Sequence, residues 1–561
     1  MFVVGQANAW DVADCMKRER ILLAVVSMVG QTAFAGGVIP ADRQTDWYQA
    51  GVPGGIPAVT TIYATFTSAA TAAQINTALN NCPSNSVVLL NAGIYDLGGS
   101  EITLKRDGVV LRGATSAAGF PLTILNNTEI QMARSQWPAL ENWSNVKPID
   151  IASGLTEGST SMTLASSPNS DFKVGDVFMI DQADDGINVK TSSVTWAHRP
   201  SRAYCLIAQC TRITGNTIGF QPPLLGEYWN LSRRPQAFGW SSLYGPTLKR
   251  AGLESLDVVP NGSLYNISMG PAWACWATNI RTTGWPKGGG SAGFRMTYSA
   301  CCSLFWSIFH DGGQVSNSSY AVYPVVVTGC AVEGNIFTNL ALAMPCISAV
   351  GCSFSYNYAT GPYPYSPSSW LAEYFFPHGG HTHDTLYEGN WLEGSIYLDA
   401  IFGGNNSRVA IVHNRIKGWA SGKTGNTSPI VLESDTDNTV IMGNVLGEKS
   451  YHTRYSEMFK VDDSCEGTDI RNNYNTVDDG VDSDEALAGD DTVASSYRYA
   501  VKPAWFGSLP WPSFSLSADS TTELAYTNLP AGFRNYFGAD SPDASFLRRP
   551  NPPQNLRVSG P

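Results

Sequence analysis

Past Leu256 the apolar residues fall in short blocks separated by Gly, Asn and Ser, and the blocks recur. Each is opened by Asn or Ser: Asn279–Arg281, Ser307–Phe309, Asn335–Phe337, Asn357–Ala359, Asn390–Leu392, Asn414–Ile416, Asn444–Leu446 and Asn473–Asn475. Successive openers lie 28, 28, 22, 33, 24, 30 and 29 residues apart. A repeat of this period predicts a solenoid of stacked β-coils, because no coil can bury its apolar face alone. The asparagines fit tight bends, since Asn tolerates the left-handed backbone region. Cys275, Cys302, Cys330 and Cys352 keep the same register and predict an interior stack of small apolar groups. Cys205 and Cys210, outside the repeat, are the better candidates for a disulfide.

Upstream, Thr71–Asn81 has Ile75 and Leu79 on one helical face and stops at Cys82 and Pro83. Strands are predicted at Val87–Leu90, Glu101–Leu104 and Gly108–Gly113. A helix ahead of stacked strands covers the open end of a solenoid, where core and unpaired backbone are otherwise exposed. Here the chain resembles the pectate-lyase-like superfamily, and the resemblance spans most of residues 60–480. It implies an all-β fold, a right-handed single-stranded parallel β-helix with an N-terminal capping helix. Short strands at Ile149–Ile151, Ser161–Leu164, Val177–Ile180 and Thr217–Phe220 predict a small inserted β-subdomain that could wall a cleft. The expected organisation is leader (1–35), cap and first coils (36–147), insert (148–225), β-helix core (226–480) and a C-terminal wrap with a Pro-rich tail (481–561). The acidic run Asp478–Glu485 reads as a solvated loop.

Composition narrows the function. Charged residues make up 15% and apolar residues 43%, with 54 glycines, which suits short strands and tight turns and excludes disorder. A net charge of −12 argues against nucleic acid as partner. It lets a polyanion bind only through a local basic patch or bridging cations. Lys17–Arg20, the apolar run Ile21–Gly30 and the small residues Ala33 and Ala35 form a signal peptide starting at about Met16. The run is too short to cross about 30 Å of hydrocarbon, so a secreted or periplasmic monomer without a membrane span is expected.

The candidate chemistry lies in the longest repeat, where His378, His381 and His383 stand beside Asp384 and Glu388. Three accounts are open: acid–base catalysis, a metal held by His381 and His383 with Asp384 or Glu388, or hydrogen-bonded structural histidines. Counting back about twelve positions from each opener stacks Arg295, Tyr323, Pro345, His378, Phe402, Leu432 and, one further back, Lys460. Slippage of two or three residues adds Asp399, Glu433 and Asp462. Such a column suits a linear polymer lying across the coils. The resemblance implies a polysaccharide substrate, expected to contain uronates. Elimination, drawing on Arg295, His378, Arg415 and Lys460, is favoured over hydrolysis by the pair Asp399 and Glu433. A non-catalytic glycan-binding or adhesive solenoid is the other alternative. The catalytic candidates are therefore His378, His381, His383, Asp399, Glu433, Arg415 and Lys460, and the substrate contacts Arg295, Tyr323, Trp391 and Glu388. The cofactor is open, with Ca2+ the candidate.

Overall fold

A computed structural model describes residues 39–134, 143–313, 318–362, 369–476, 480–481, 493–514 and 526–537. The leader signals, the acidic run apart from Gly480 and Val481, and the Pro-rich tail lie outside the described residues. From Ser86 the chain winds in coils that lay strands in a first, a second and a third sheet in turn. Ser86–Leu90, Gly93–Asp96 and Ile102–Leu104 form one coil, and Val109–Gly113, Thr123–Asn126 and Ile130–Met132 the next. Coils stack in parallel register. On the first sheet Leu111, Leu253, Ala277, Leu304, Val332, Phe354, Tyr387, Ile411 and Ile441 sit one above another. All nine point into the main apolar core. Parallel strands joined within a sheet cross over right-handed almost without exception, which sets the hand of the winding.

The expected capping helix forms at Ala72–Asn81. Thr71 and Gln74 satisfy each other's backbone N–H groups in a capping box, and Ile75 and Leu79 are buried in the core. The repeated asparagines do a different job from the one expected. The residue before each opener takes the left-handed bend: Trp306, Gly334, Tyr356, Gly389, His413, Gly443 and Asn472 all have φ between 51° and 66°. Asn279 itself occupies this bend position (φ 54°), one residue out of step with the later openers. From Asn335 to Asn473 the Asn side chains form a buried ladder. Each Oδ1 accepts from the backbone N–H of the previous coil's Asn, as from Asn390 to Asn414 (2.9 Å) and Asn414 to Asn444 (2.9 Å). Each Nδ2 from Asn335 to Asn444 donates onward to the next Asn. Ser307 begins the ladder, donated to by Ile280 N and bonded through its own N–H to Asn335.

The cysteines at 275, 302, 330 and 352 are free and buried in the core. Cys205 and Cys210 are also free. They lie five apart on the strand Cys205–Thr214 and therefore point to opposite faces, into different apolar clusters. The insert is a closed antiparallel barrel in the order Val177–Asp181, Cys205–Thr214, Thr217–Gln221, Ser161–Leu164, Ile149–Ser153 and Gln236–Phe238. Its closing strand comes from beyond residue 225, where the sequence reading ended the insert. Cys205–Thr214 packs on the third-sheet strand Ser319–Thr328, with Ile207 N donating to Thr328 Oγ1 at 2.8 Å. The barrel thus covers one margin of the third sheet.

Candidate functional site

The outer face of the third sheet carries one row of side chains across successive coils. Arg295 pairs with Tyr323, and Pro345 with Phe376; Tyr397 pairs with Val431 and Val431 with Lys460. Arg295, Tyr323, Pro345 and Lys460 hold the stacked positions expected of them. The others shift. Phe376, two residues before His378, occupies the row, and Tyr397 stands where Phe402 was expected. Leu432 turns into the core and Phe402 lies in a loop beyond the strand.

His378 lies on the same face, just past the strand Glu373–Pro377. Its N–H donates to Cys346 O at 2.7 Å, and its ring meets Phe376 and Phe402 edge-on at 5.2 and 4.6 Å. Nδ1 is 2.7 Å from Asp399 Oδ2, and the side chain keeps 16% of its surface open. With its proton on Nδ1 facing this carboxylate, the ring would present an Nε2 lone pair that none of the described residues engages. Asp399 is nearly enclosed, and burial pushes its carboxyl pKa up against the pull of His378. Glu433 accepts from Ala400 N at 2.9 Å and from the Tyr397 hydroxyl. Burial and then Glu433 push the Tyr397 phenol up. Glu373, absent from the sequence reading, joins the cluster. It accepts from Trp370 Nε1 (3.3 Å) and Asn426 Nδ2 (3.1 Å), and burial raises its pKa. A lone carboxylate opening an apolar strand was the available signal for it.

Five other candidates lie elsewhere. His381 and His383 are fully buried where the barrel meets the solenoid. His381 is held by Asn405 Oδ1 (3.0 Å) and Ser407 Oγ (2.9 Å), and burial, then His383, lowers its pKa to about 3. His383 stacks on Tyr204 at 4.6 Å and bonds Asp384 Oδ2 at 2.7 Å, out of reach of a polymer. Among the described residues no group of three or more His, Cys, Asp or Glu side chains is placed to hold a metal ion. Arg415 and Trp391 pair with each other on the second sheet and are both buried, and burial lowers the Arg415 pKa to about 10. Glu388 is buried on the first sheet, bonded to Ser496 and Tyr356 and accepting from Tyr497 N at 2.7 Å. Their side chains left the expected column because each belongs to another sheet of the coil, or to the covered margin of the third.

No family model and no curated protein matches the chain. Among solved structures it is similar to the Pseudomonas phage phi297 tailspike gp61 (12% identity, TM-score 0.48, covering 72% of this chain and 62% of that one). It is also similar to the gp54 tailspike of Acinetobacter baumannii bacteriophage AP22, solved with a capsular saccharide (11%, TM-score 0.35, 73% and 64%). A third is the Azotobacter vinelandii mannuronan C-5 epimerase AlgE4 A-module (13%, TM-score 0.35, 72% and 92%). The chain spans about three fifths of the length of the phi297 tailspike. Its fold is a right-handed parallel β-helix of three stacked sheets.

Proposed function

We propose that the chain cleaves an acidic polysaccharide laid along the outer face of the third sheet, with His378 as the base. The observation that carries this reading is the His378–Asp399 contact of 2.7 Å beside a side chain that keeps 16% of its surface open. Nε2 takes the proton beside a uronate carboxylate, and Asp399 stabilises the imidazolium that results. The carbon–oxygen bond to the leaving sugar then breaks as the double bond forms. Tyr397, one coil away and about 4.8 Å along the axis, supplies the proton to the leaving oxygen. Among the described residues Arg295 and Lys460 are the cations of the row, three coils (about 14 Å) to either side of His378, and they hold acidic units flanking the reacting one. The leader read from the sequence fits action outside the cell, where such polymers lie.

Hydrolysis by Asp399 and Glu433 is the second reading, favoured by the burial that keeps Asp399 protonated to higher pH. Incubation with uronate-containing and neutral polysaccharides separates the two. Elimination gives the ultraviolet absorbance of an unsaturated uronate, whereas hydrolysis gives reducing ends without it. His378→Ala is expected to lower elimination by about 10²–10⁴-fold. Turnover that survives this change removes His378 from the chemistry, and no signal on any polymer removes the enzyme reading.

A further inference from the structure

Between Lys190 and Arg199 the barrel sends a loop against the margin of the third sheet. Its backbone is fastened along its length. Lys190 N donates to Asn405 Oδ1 (2.9 Å) and Ser193 N to Phe402 O (2.7 Å). Ser192 Oγ accepts from Gly380 N (2.9 Å), Thr195 O from Trp143 Nε1 (2.7 Å) and Ala197 O from the Tyr298 hydroxyl (3.1 Å). Arg199 anchors the end through Asp181 at 2.7 Å. On this fixed loop Trp196 is left 36% exposed, edge-on to Tyr323 at 6.5 Å. A large ring partly open on a hydrogen-bonded loop presents apolar surface to a ligand at less ordering cost than one on a free loop. The face of a sugar ring is such a ligand.

The surroundings give the class of sugar. The Arg295 guanidinium lies 4.6 Å from the Tyr265 ring and 5.9 Å from the Tyr323 ring, a cation beside the aromatic wall. Aromatic contacts then continue from Tyr323 to Tyr320 (4.8 Å), to Phe376 (6.5 Å) and to His378 (5.2 Å). Tyr323 stands two coils before His378, about 10 Å along the axis. We propose that Trp196 and Arg295, backed by the buried Tyr323, form a remote subsite holding an acidic sugar of the chain whose reacting unit lies at His378. The inference rests on the function proposed for that site and adds to it a dependence on chain length.

The test uses the full chain carrying His378→Ala, titrated with oligomannuronates and oligogalacturonates of increasing length and with neutral cello-oligosaccharides. Calorimetry and tryptophan fluorescence read the binding. Affinity for the acidic series steps up once an oligomer reaches from His378 to Trp196. Adding Trp196→Ala removes the step, a loss of about tenfold, while Trp196→Phe keeps most of it. Because most of the ring is covered, Trp196→Ala is compared with Trp196→Phe at a temperature where both are fully folded by circular dichroism. A step that survives Trp196→Ala overturns the subsite, as does equal weakening at every length, equal binding of neutral oligomers, or no binding. A step present while the unmutated chain cleaves no polymer keeps the subsite and sinks the elimination reading. Cleavage without a step does the reverse.

Discussion

Three histidines within six residues of sequence end in three electrical settings. His378 keeps an open edge and a carboxylate partner, which makes it a usable base. His381 faces Asn405, Ser407, Tyr204, Tyr228 and His383 in full burial, and stays neutral because an imidazolium there loses its water without gaining an adjacent carboxylate. His383 packs its ring on Tyr204 and fastens the barrel to the solenoid. The settings follow from position along the strand and bend, which period alone does not specify. One consequence is a pH dependence of stability. His381 has its folded pKa lowered to about 3 from 6.5, and His198 and His413 are lowered by burial as well. Below the unfolded value the denatured chain takes up protons that the folded chain refuses, so stability is full above pH 6.5 and declines as the pH falls toward 3. Urea midpoints measured from neutral pH down to about pH 5 should therefore fall, and His381→Asn should make the fall shallower. A flat profile over that range would sink the account.

At the scale of the elements, the asparagine ladder is the device that fixes each bend. Asn414 accepts from Asn390 N and Nδ2 (both 2.9 Å) and donates Nδ2 to Tyr387 O (2.9 Å) and Asn444 Oδ1 (3.0 Å). Asn414→Ala leaves several buried polar groups unpaired and is expected to cost about 3–5 kcal/mol, measured by urea unfolding. Asn414→Ser should cost less, because Ser307 already fills the equivalent place at the start of the ladder. The ladder also explains what could be read in advance. Buried side chains that must stack impose a repeat on the sequence, so coils, helix cap and cysteine stack were legible. The column on the third sheet was legible only in part. Arg295, Tyr323 and Pro345 fall at a constant offset because the coils carrying them bend after equal lengths. Past Pro377 the turns from the third sheet to the first differ in length: the loop Asp399–Gly404 displaces the count from Tyr397 to Phe402. Trp196 was beyond reach altogether, since its place depends on how a barrel folded from distant strands rests on the solenoid.

At the scale of the molecule, the solenoid is closed lengthwise by its own two ends. The N-terminal segment crosses the first sheet from the last coils back to the first. Arg43 bonds Gly467 O, Trp47 Nε1 donates to Asp384 O (2.6 Å), Gly51 N to Gly329 O (2.7 Å), and Val59 O accepts from Arg112 (2.8 Å). The C-terminal segment lies beside it, with Trp505 and Phe506 against Tyr356. Arg498 joins the two. Its guanidinium pairs with the buried Glu333 and donates to Trp47 O (2.7 Å) and Ala50 O (2.9 Å). One side chain thus ties both segments to a middle coil. Arg498→Met strands the Glu333 carboxylate in the interior and is expected to cost about 3–5 kcal/mol. It should also open both segments to limited trypsin digestion under native conditions, at Arg43 and at Arg534 together. Adding Glu333→Gln to Arg498→Met should recover part of the stability, because a neutral amide replaces the stranded charge, yet leave both segments open to the protease. Release of the C-terminal segment alone, with Arg43 still protected, would show that the two ends are held independently and that Arg498 is no shared clamp.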